Sequence, residues 1–369
     1  MRLLMTADAV GGVWTYALDL ARGLALHDIE TTLVVLGPSP DAPQVAAAGS
    51  VPGLDLVDTG ARLDWLAGGE DEVAEAARVV AELARRADAD VVQLNSPTLA
   101  ALARFPASVV GVCHSCVATW WDAVRAEPLP RDFRWRTDLL ARGYDSCNAL
   151  VAPSAAFAAV TRQRYGARPV VVHNGRGDVA DLPEPFEVPA RYVLTAGRLW
   201  DEAKDVATLD GAAALLDVPV LAAGPLRGPH DHARELRHAV ALGSLDPVRL
   251  RWLMERATVF ASPARYEPFG LAVLEAARAR CPLVLSDIPT FRELWDGAAL
   301  FVPARDPAAL ADALRRVLDD ADFAASLADA AWRRSRRYDV ATMAAGMHEV
   351  FRGVLGSVGR TARAAGMAA

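Results

Sequence analysis

Short apolar runs alternate with stretches of helical spacing along this chain, and the alternation runs through twice, with a proline-rich break between the two passes. In the first pass, Arg2–Thr6, Thr31–Leu36, Val51–Asp58, Asp90–Leu94, Ser108–Cys113, Ala149–Pro153 and Pro169–His173 read as strands. Helical spacing falls at Val13–Leu26, Glu70–Ala87, near Thr98–Arg104, and at Ser154–Tyr165 with Ser154 as its N-cap; Trp120–Ala141 reads as a helical excursion. In the second pass the strands are Tyr192–Ala196, Val220–Ala223, Thr258–Ala261 and Leu283–Ser286. Its helices are Asp205–Leu216, His232–Val240, Pro247–Arg256, Gly270–Arg280 and Pro307–Leu318. Nearly continuous apolar strands separated by helices predict mostly parallel sheets covered on both faces.

A chain of 369 residues exceeds what one hydrophobic core comfortably serves, so two domains are expected. The composition breaks place the first at 1–178 and a linker at 179–190, where Pro183, Pro185 and Pro189 favour extended chain. The second domain is expected at 191–337, and 338–369 is a helical segment that either caps the second sheet or crosses back to the first. Two such sheets facing one another place their carboxyl-end loops around an interdomain cleft, where open α/β sheets bind ligands.

Net charge narrows the partners. With 39 basic against 46 acidic side chains, the chain offers no broad positive field for a nucleic acid backbone. A local cationic pocket for one small anion is compatible with that balance. The opening MRLLMTADAVGG has too short an apolar run for a signal sequence or a membrane span, so the cytoplasm is the expected compartment. Cys113, Cys116, Cys147 and Cys281 form no dense framework, and reduced thiols are the simpler reading than structural zinc.

Several segments carry chemistry. In RYEPFGLAVLEAARAR (265–280), Pro268 keeps Glu267 out of the following helix, and Gly270 lets backbone approach a ligand where that helix begins. The first-turn amides of Gly270, Leu271 and Ala272 are unsatisfied donors that attract an anion. Glu267 and Glu275 therefore read either as hydroxyl-binding carboxylates or as solvated surface charges. In AGRLWDEAKD (196–205), Arg198 and Lys204 flank a turn at a strand end and suit a diphosphate, although Asp201, Glu202 and Asp205 offer simple surface pairing as the rival account. On residue type alone, His114 in CHSC and the Gly11-Gly12 turn read as structural more often than functional, and Asn174-Gly175 reads as a tight turn facing the cleft. Asp88 and Asp90 read as helix exit and strand entry rather than a metal-holding carboxylate pair.

GRLWDEAK at 197–204, followed by ASPARYEPFGLAVLEAARARCPLVLSD at 261–287, resembles the donor-binding half of a retaining nucleotide-sugar glycosyltransferase of glycosyltransferase family 4. That family has the GT-B architecture of two Rossmann-like domains. The resemblance implies that Arg198 and Lys204 bind the donor diphosphate, that Glu275 contacts the nucleotide ribose, and that Glu267, Phe269 and Gly270, with Leu271 beside them, hold the sugar. Gly224 and Pro225 fall where the family shapes its nucleotide pocket. Gly11 and Gly12 match the glycine-rich loop after the first strand, His114 matches the active-site histidine, and Asn174 matches an acceptor-side turn. Lys204 stands six residues after Arg198 where the commoner spacing is five.

The implied reaction moves a hexosyl group from a nucleoside diphosphate sugar to an unidentified acceptor hydroxyl, without a cofactor and without an essential divalent ion. An epimerase or phosphorolytic enzyme on the same scaffold, and a noncatalytic nucleotide-sugar binder, are the competing readings. Peripheral membrane contact has no strong amphipathic stripe to support it, and the oligomeric state is not legible.

Overall fold

Strands whose residues are apolar on both sides leave no face for water, and the structure resolves this by helices on each side of two separate sheets. The computed structural model describes residues 1–177, 187–228 and 233–366, with 357–366 by backbone alone. Most of the expected 179–190 connection, including Pro183 and Pro185, lies outside the described residues. The chain divides into two units, one of Met1–Asp122, Glu127–Gly175 and Asp339–Ala369, the other of Ala123–Ala126 and Arg176–Tyr338.

The first unit runs β1 (Arg2–Ala7), α1 (Gly12–Ala25), β2 (Glu30–Val35), α2 (Ala42–Gly49), β3 (Leu54–Asp58) and α3 (Glu70–Arg86). It continues through β4 (Val91–Leu94), β5 (Ser108–Val112), α4 (Val117–Val124), α5 (Arg134–Ser146), β6 (Ala149–Ala152), α6 (Ala155–Tyr165) and β7 (Val170–Val171). Its seven strands lie in the order β3-β2-β1-β4-β5-β6-β7, all paired in parallel. Ser154 caps α6 as its sequence position predicts, its hydroxyl accepting from Phe157 N at 3.1 Å.

The second unit holds β8 (Val193–Ala196), α7 (Val206–Ala213), β9 (Val220–Ala223), β10 (Val240–Gly243), α8 (Pro247–Arg256) and β11 (Val259–Ser262). After these come α9 (Leu271–Arg278), β12 (Leu283–Ser286), α10 (Pro289–Trp295), β13 (Leu300–Val302), α11 (Pro307–Asp319) and α12 (Ala321–Ser335). The strand order β10-β9-β8-β11-β12-β13 is again parallel throughout and reverses direction of growth once, between β8 and β11. One face packs Leu253, Leu274, Phe291 and Trp295, the other Leu209, Leu310 and Leu314.

The last helix, α13 (Val340–Gly366), belongs to the first unit. Its Met343, Met347, Phe351 and Val354 enter the same core cluster as Leu20 and Leu24 of α1. Gly23 makes that approach possible, because a Cβ there would lie 2.6 Å from the Cβ of Ala344.

Three local expectations are corrected and one helix is added. The stretch 38–50 contains α2, announced by a capping box in which Asp41 accepts from Gln44 N at 2.8 Å and the Gln44 side chain accepts from Asp41 N at 2.9 Å. Val51 closes the turn after α2, so β3 begins only at Leu54. The helix expected near Thr98–Arg104 is a 3-10 turn, Pro97–Ala101. No helix spans 233–240: the Asp210 carboxylate on α7 takes the amides of Arg237, His238 and Ala239 at 2.9 to 3.1 Å, so those donors serve a side chain instead of a helical ladder. His232, where that helix was expected to start, lies outside the described residues.

Candidate functional site

In an open α/β sheet, the loops at the carboxyl ends of the strands flanking a reversal splay apart and leave a crevice. In the second unit those strands are β8 and β11, and they release the two segments singled out in the sequence, GRLWDEAK after Ala196 and PARYEPFG after Ser262. A small recess between them is lined by Thr195, Gly197, Lys204, Ser262 and Pro263. Lys204 and Glu267 meet directly as an ion pair between Nζ and Oε2, both side chains largely buried. Read separately, their positions had suggested a phosphate ligand and a sugar ligand; the fold places the two charges against each other.

Arg198 remains half exposed, donating from Nη2 to Asp201 Oδ2 at 3.2 Å, with its guanidinium 5.5 Å from the Trp200 ring centre. Asp201 is buried and also accepts from Ala203 N at 2.9 Å, which starts the 3-10 turn Glu202–Lys204. The 3-10 turn ends on Asp205, which lies in the left-handed region at φ 49°. The Arg198–Asp201 contact is the pairing that the mixed-charge sequence offered as the rival account, whereas Trp200, a lone aromatic in that loop, carries no distinctive spacing.

Gly224, at the end of β9, has φ 133°, and a Cβ on it would lie 1.8 Å from the Gly197 carbonyl oxygen. Only glycine lets the β8 and β9 loops close on each other in this way. Trp200 N then donates to Pro225 O at 3.2 Å. Gly270, also left-handed at φ 95°, caps α9 with no side-chain bond of its own, so Leu271 and the residues after it present the helix amides. Phe269 turns its ring inward, edge-on to Tyr338 with centroids 5.8 Å apart, and is buried in the core. Glu275 lies one turn further along α9 and pairs with Arg176 Nε at 2.7 Å.

In the first unit the corresponding reversal lies between β1 and β4, and a second polar group collects there. Asn95, just past β4, donates from Nδ2 to Thr6 O at 2.7 Å, and its Oδ1 lies 2.9 Å from His114 Nε2. Because the amide nitrogen is committed to a carbonyl, Oδ1 must accept, so His114 carries its proton on Nε2 and directs the Nδ1 lone pair elsewhere. Burial lowers the His114 pKa to about 4, which makes the ring neutral near pH 7. Tyr16 of α1 lies edge-on to that ring at 4.7 Å, and its own hydroxyl is held protonated by burial. Gly11 forms the N-cap of α1 in extended conformation, and Gly12 opens the helix. Asn174 is buried beyond β7. Asn95, which meets the histidine, and Gln93, whose Nε2 donates to Asn95 Oδ1 at 3.2 Å, have no motif to mark them.

The four cysteines are free thiols; burial pushes those of Cys113 and Cys147 up to about 12 and that of Cys281 higher still.

Two parallel doubly wound sheets, each with polar loops at its strand reversal, define the GT-B class of fold. Residues 10–176 match the family model described as Glycosyltransferase Family 4, and residues 190–320 match that described as Glycosyl transferases group 1. The chain belongs to glycosyltransferase family 4. Glycogen synthase of Mycobacterium tuberculosis is 40% identical over 121 residues, 32% of this chain and 29% of that protein. Phosphatidyl-myo-inositol mannosyltransferase of Mycolicibacterium smegmatis is 32% identical over 212 residues, 53% of this chain and 54% of that protein. The chain thus spans about half or less of the length of these relatives. The structure of sucrose-phosphate synthase from Thermosynechococcus elongatus covers 97% of this chain and 100% of its own at TM-score 0.79 and 18% identity, a likeness of fold. Among the described residues, no helix is long and apolar enough to cross a membrane.

Proposed function

We propose that the protein transfers a hexosyl group from a nucleoside diphosphate sugar to an acceptor hydroxyl, with retention at the anomeric carbon and without an essential divalent ion. The observation that carries the reading is the convergence of Arg198, Lys204 and the N-terminus of α9 at one strand reversal. Departure of the diphosphate is the step that needs help, since negative charge accumulates on its oxygens as the glycosidic bond breaks. Two cations and a set of free helix amides offer fixed stabilisation for that charge.

Lys204 spends one of its three N–H donors on Glu267, which leaves two for phosphate oxygens. The carboxylate aims the ammonium and in turn sits beside the place where the sugar hydroxyls and positive anomeric character would lie. Glu267 is thereby assigned to sugar positioning and electrostatic support. Arg198 supplies a planar fork for the second phosphate, and Glu275 takes the ribose hydroxyls. His114, neutral with Nε2 donating to Asn95, can accept a hydrogen bond from a hydroxyl through Nδ1 but brings no positive charge. Asn174, Gly11 and Gly12 are assigned to the acceptor side and to the donor's approach. The same-face route, with a donor phosphate oxygen taking the acceptor proton, needs no protein base and fits a neutral histidine.

The test is a panel of nucleoside diphosphate sugars with sugar, lipid and small-molecule acceptors, read by mass spectrometry with and without chelator, and anomeric NMR of the product. A hexose mass added to one acceptor, insensitive to chelator, with retained configuration is the expected result. Lys204→Met should lower kcat/KM by roughly 100-fold, the scale of losing one charge-stabilising donor; near-native transfer by that variant would remove Lys204 from the reaction.

A further inference from the structure

Arg176 follows Asn174 and Gly175 and is the first residue of the second unit's main segment. Its backbone N–H donates to Tyr338 O at 3.2 Å. Its side chain reaches α9, where Nε donates to Glu275 Oε1 at 2.7 Å, with 13% of the arginine side chain and 24% of the glutamate side chain exposed. Tyr338 in turn sets its ring against Phe269, the residue before the glycine that caps α9. Arg176 is therefore attached twice to the frame of α9, through its backbone to the residue that braces the helix start and through its side chain to the carboxylate one turn in.

We propose that Arg176 is a positioning residue for donor binding, holding Oε1 of Glu275 so that the rest of the carboxylate is presented to the ribose of the donor nucleotide. The inference rests on the reading of Glu275 as the ribose contact. A glutamate without a partner at a half-buried helix turn samples several rotamers, and ordering it on binding costs part of the affinity. The arginine bond removes that cost in advance. It uses one contact on one oxygen, and an ionised carboxylate has about four acceptor positions, so capacity remains for a pair of hydroxyls. The cation also offsets a negative charge that would otherwise stand near a diphosphate of the same sign.

The experiment measures dissociation constants by titration calorimetry for UDP, GDP and ADP and for the 2′-deoxy form of whichever binds most tightly. The proteins are wild type, Arg176→Met, Arg176→Gln, Arg176→Lys and Glu275→Gln, each with its melting temperature. Wild type should favour the ribonucleotide by roughly 10- to 100-fold, the span expected for a hydrogen bond to a charged group. Glu275→Gln should lose most of that preference. Arg176→Met and Arg176→Gln should lose it as well while melting near wild type, and Arg176→Lys should restore part of it. If Glu275→Gln collapses the preference while the folded Arg176 variants keep the full wild-type ratio, the positioning role is overturned and the ribose contact stands. If wild type and Glu275→Gln discriminate alike, the ribose contact itself fails and the proposal falls with it.

Discussion

At the scale of single residues, the clearest consequence belongs to His114. Its folded pKa, lowered by burial to about 4 from 6.5, means that the folded protein resists a proton the unfolded chain accepts. Above 6.5 the ring is neutral in both states and contributes no pH dependence. As pH falls from 6.5 toward 4 the unfolded state gains the proton first and stability declines; below that window the loss is complete. Urea unfolding of wild type and His114→Gln at about pH 7 and about pH 5 should show the wild type losing more stability than the variant. Equal losses would mean that the ring is not protected from protonation. Sequence could identify this histidine through the family resemblance, but not its charge, because the charge is decided by burial, and the groups packed around the ring, such as Tyr16 and Asn95, come from separate parts of the chain. The same limit applied to Lys204 and Glu267: each stood in a recognisable motif, yet 63 positions separate them, and only the pairing of β8 with β11 brings the motifs together.

At the scale of elements, the loops at the β8, β9 and β11 ends depend on backbone approach more than on side chains. Gly224→Ala places a methyl group against the Gly197 carbonyl and forces a side chain into φ 133°. It should cost about 2 kcal/mol of stability, the scale of a strained backbone position, and weaken nucleoside diphosphate binding as the GRLW loop shifts. Chemical denaturation together with titration calorimetry checks both, and a variant that matches wild type in each would show that the loops do not need this contact. Elements were readable where the apolar period was long or the strand run clean, as in β12 and α8, whose limits match the sequence reading. They were lost where length fell below that signal, as in three-residue β13, or where a distant group claimed the amides, as Asp210 does before β10. The capping box at Asp41 is a legible signal for α2, set among Gly37, Pro38, Pro40 and Pro43, residue types that favour irregular chain.

At the scale of the whole molecule, α13 is a structural member of the first unit, although the second unit's segment Arg176–Tyr338, roughly one further domain's worth of chain, lies between it and the rest of that unit. Phe351 is fully buried in the cluster that includes Leu20, Leu24 and Met347. Phe351→Ala should therefore destabilise by about 3–5 kcal/mol, and the loss should appear in the first unit. Hydrogen exchange resolved by segment checks this: amides of β1, β2 and α1 should exchange faster in the variant while those of β8 and β11 keep their protection. Uniform acceleration throughout would mean that the two units unfold as one. The membership of α13 also sets an order of events during synthesis. The second unit's residues leave the ribosome before α13 does, so that unit can close its sheet and core while the first still lacks one wall of apolar side chains. Until residues 340–354 emerge, Leu20, Leu24 and their neighbours stand uncovered, and the chain's earliest-made unit is the later one to be completed.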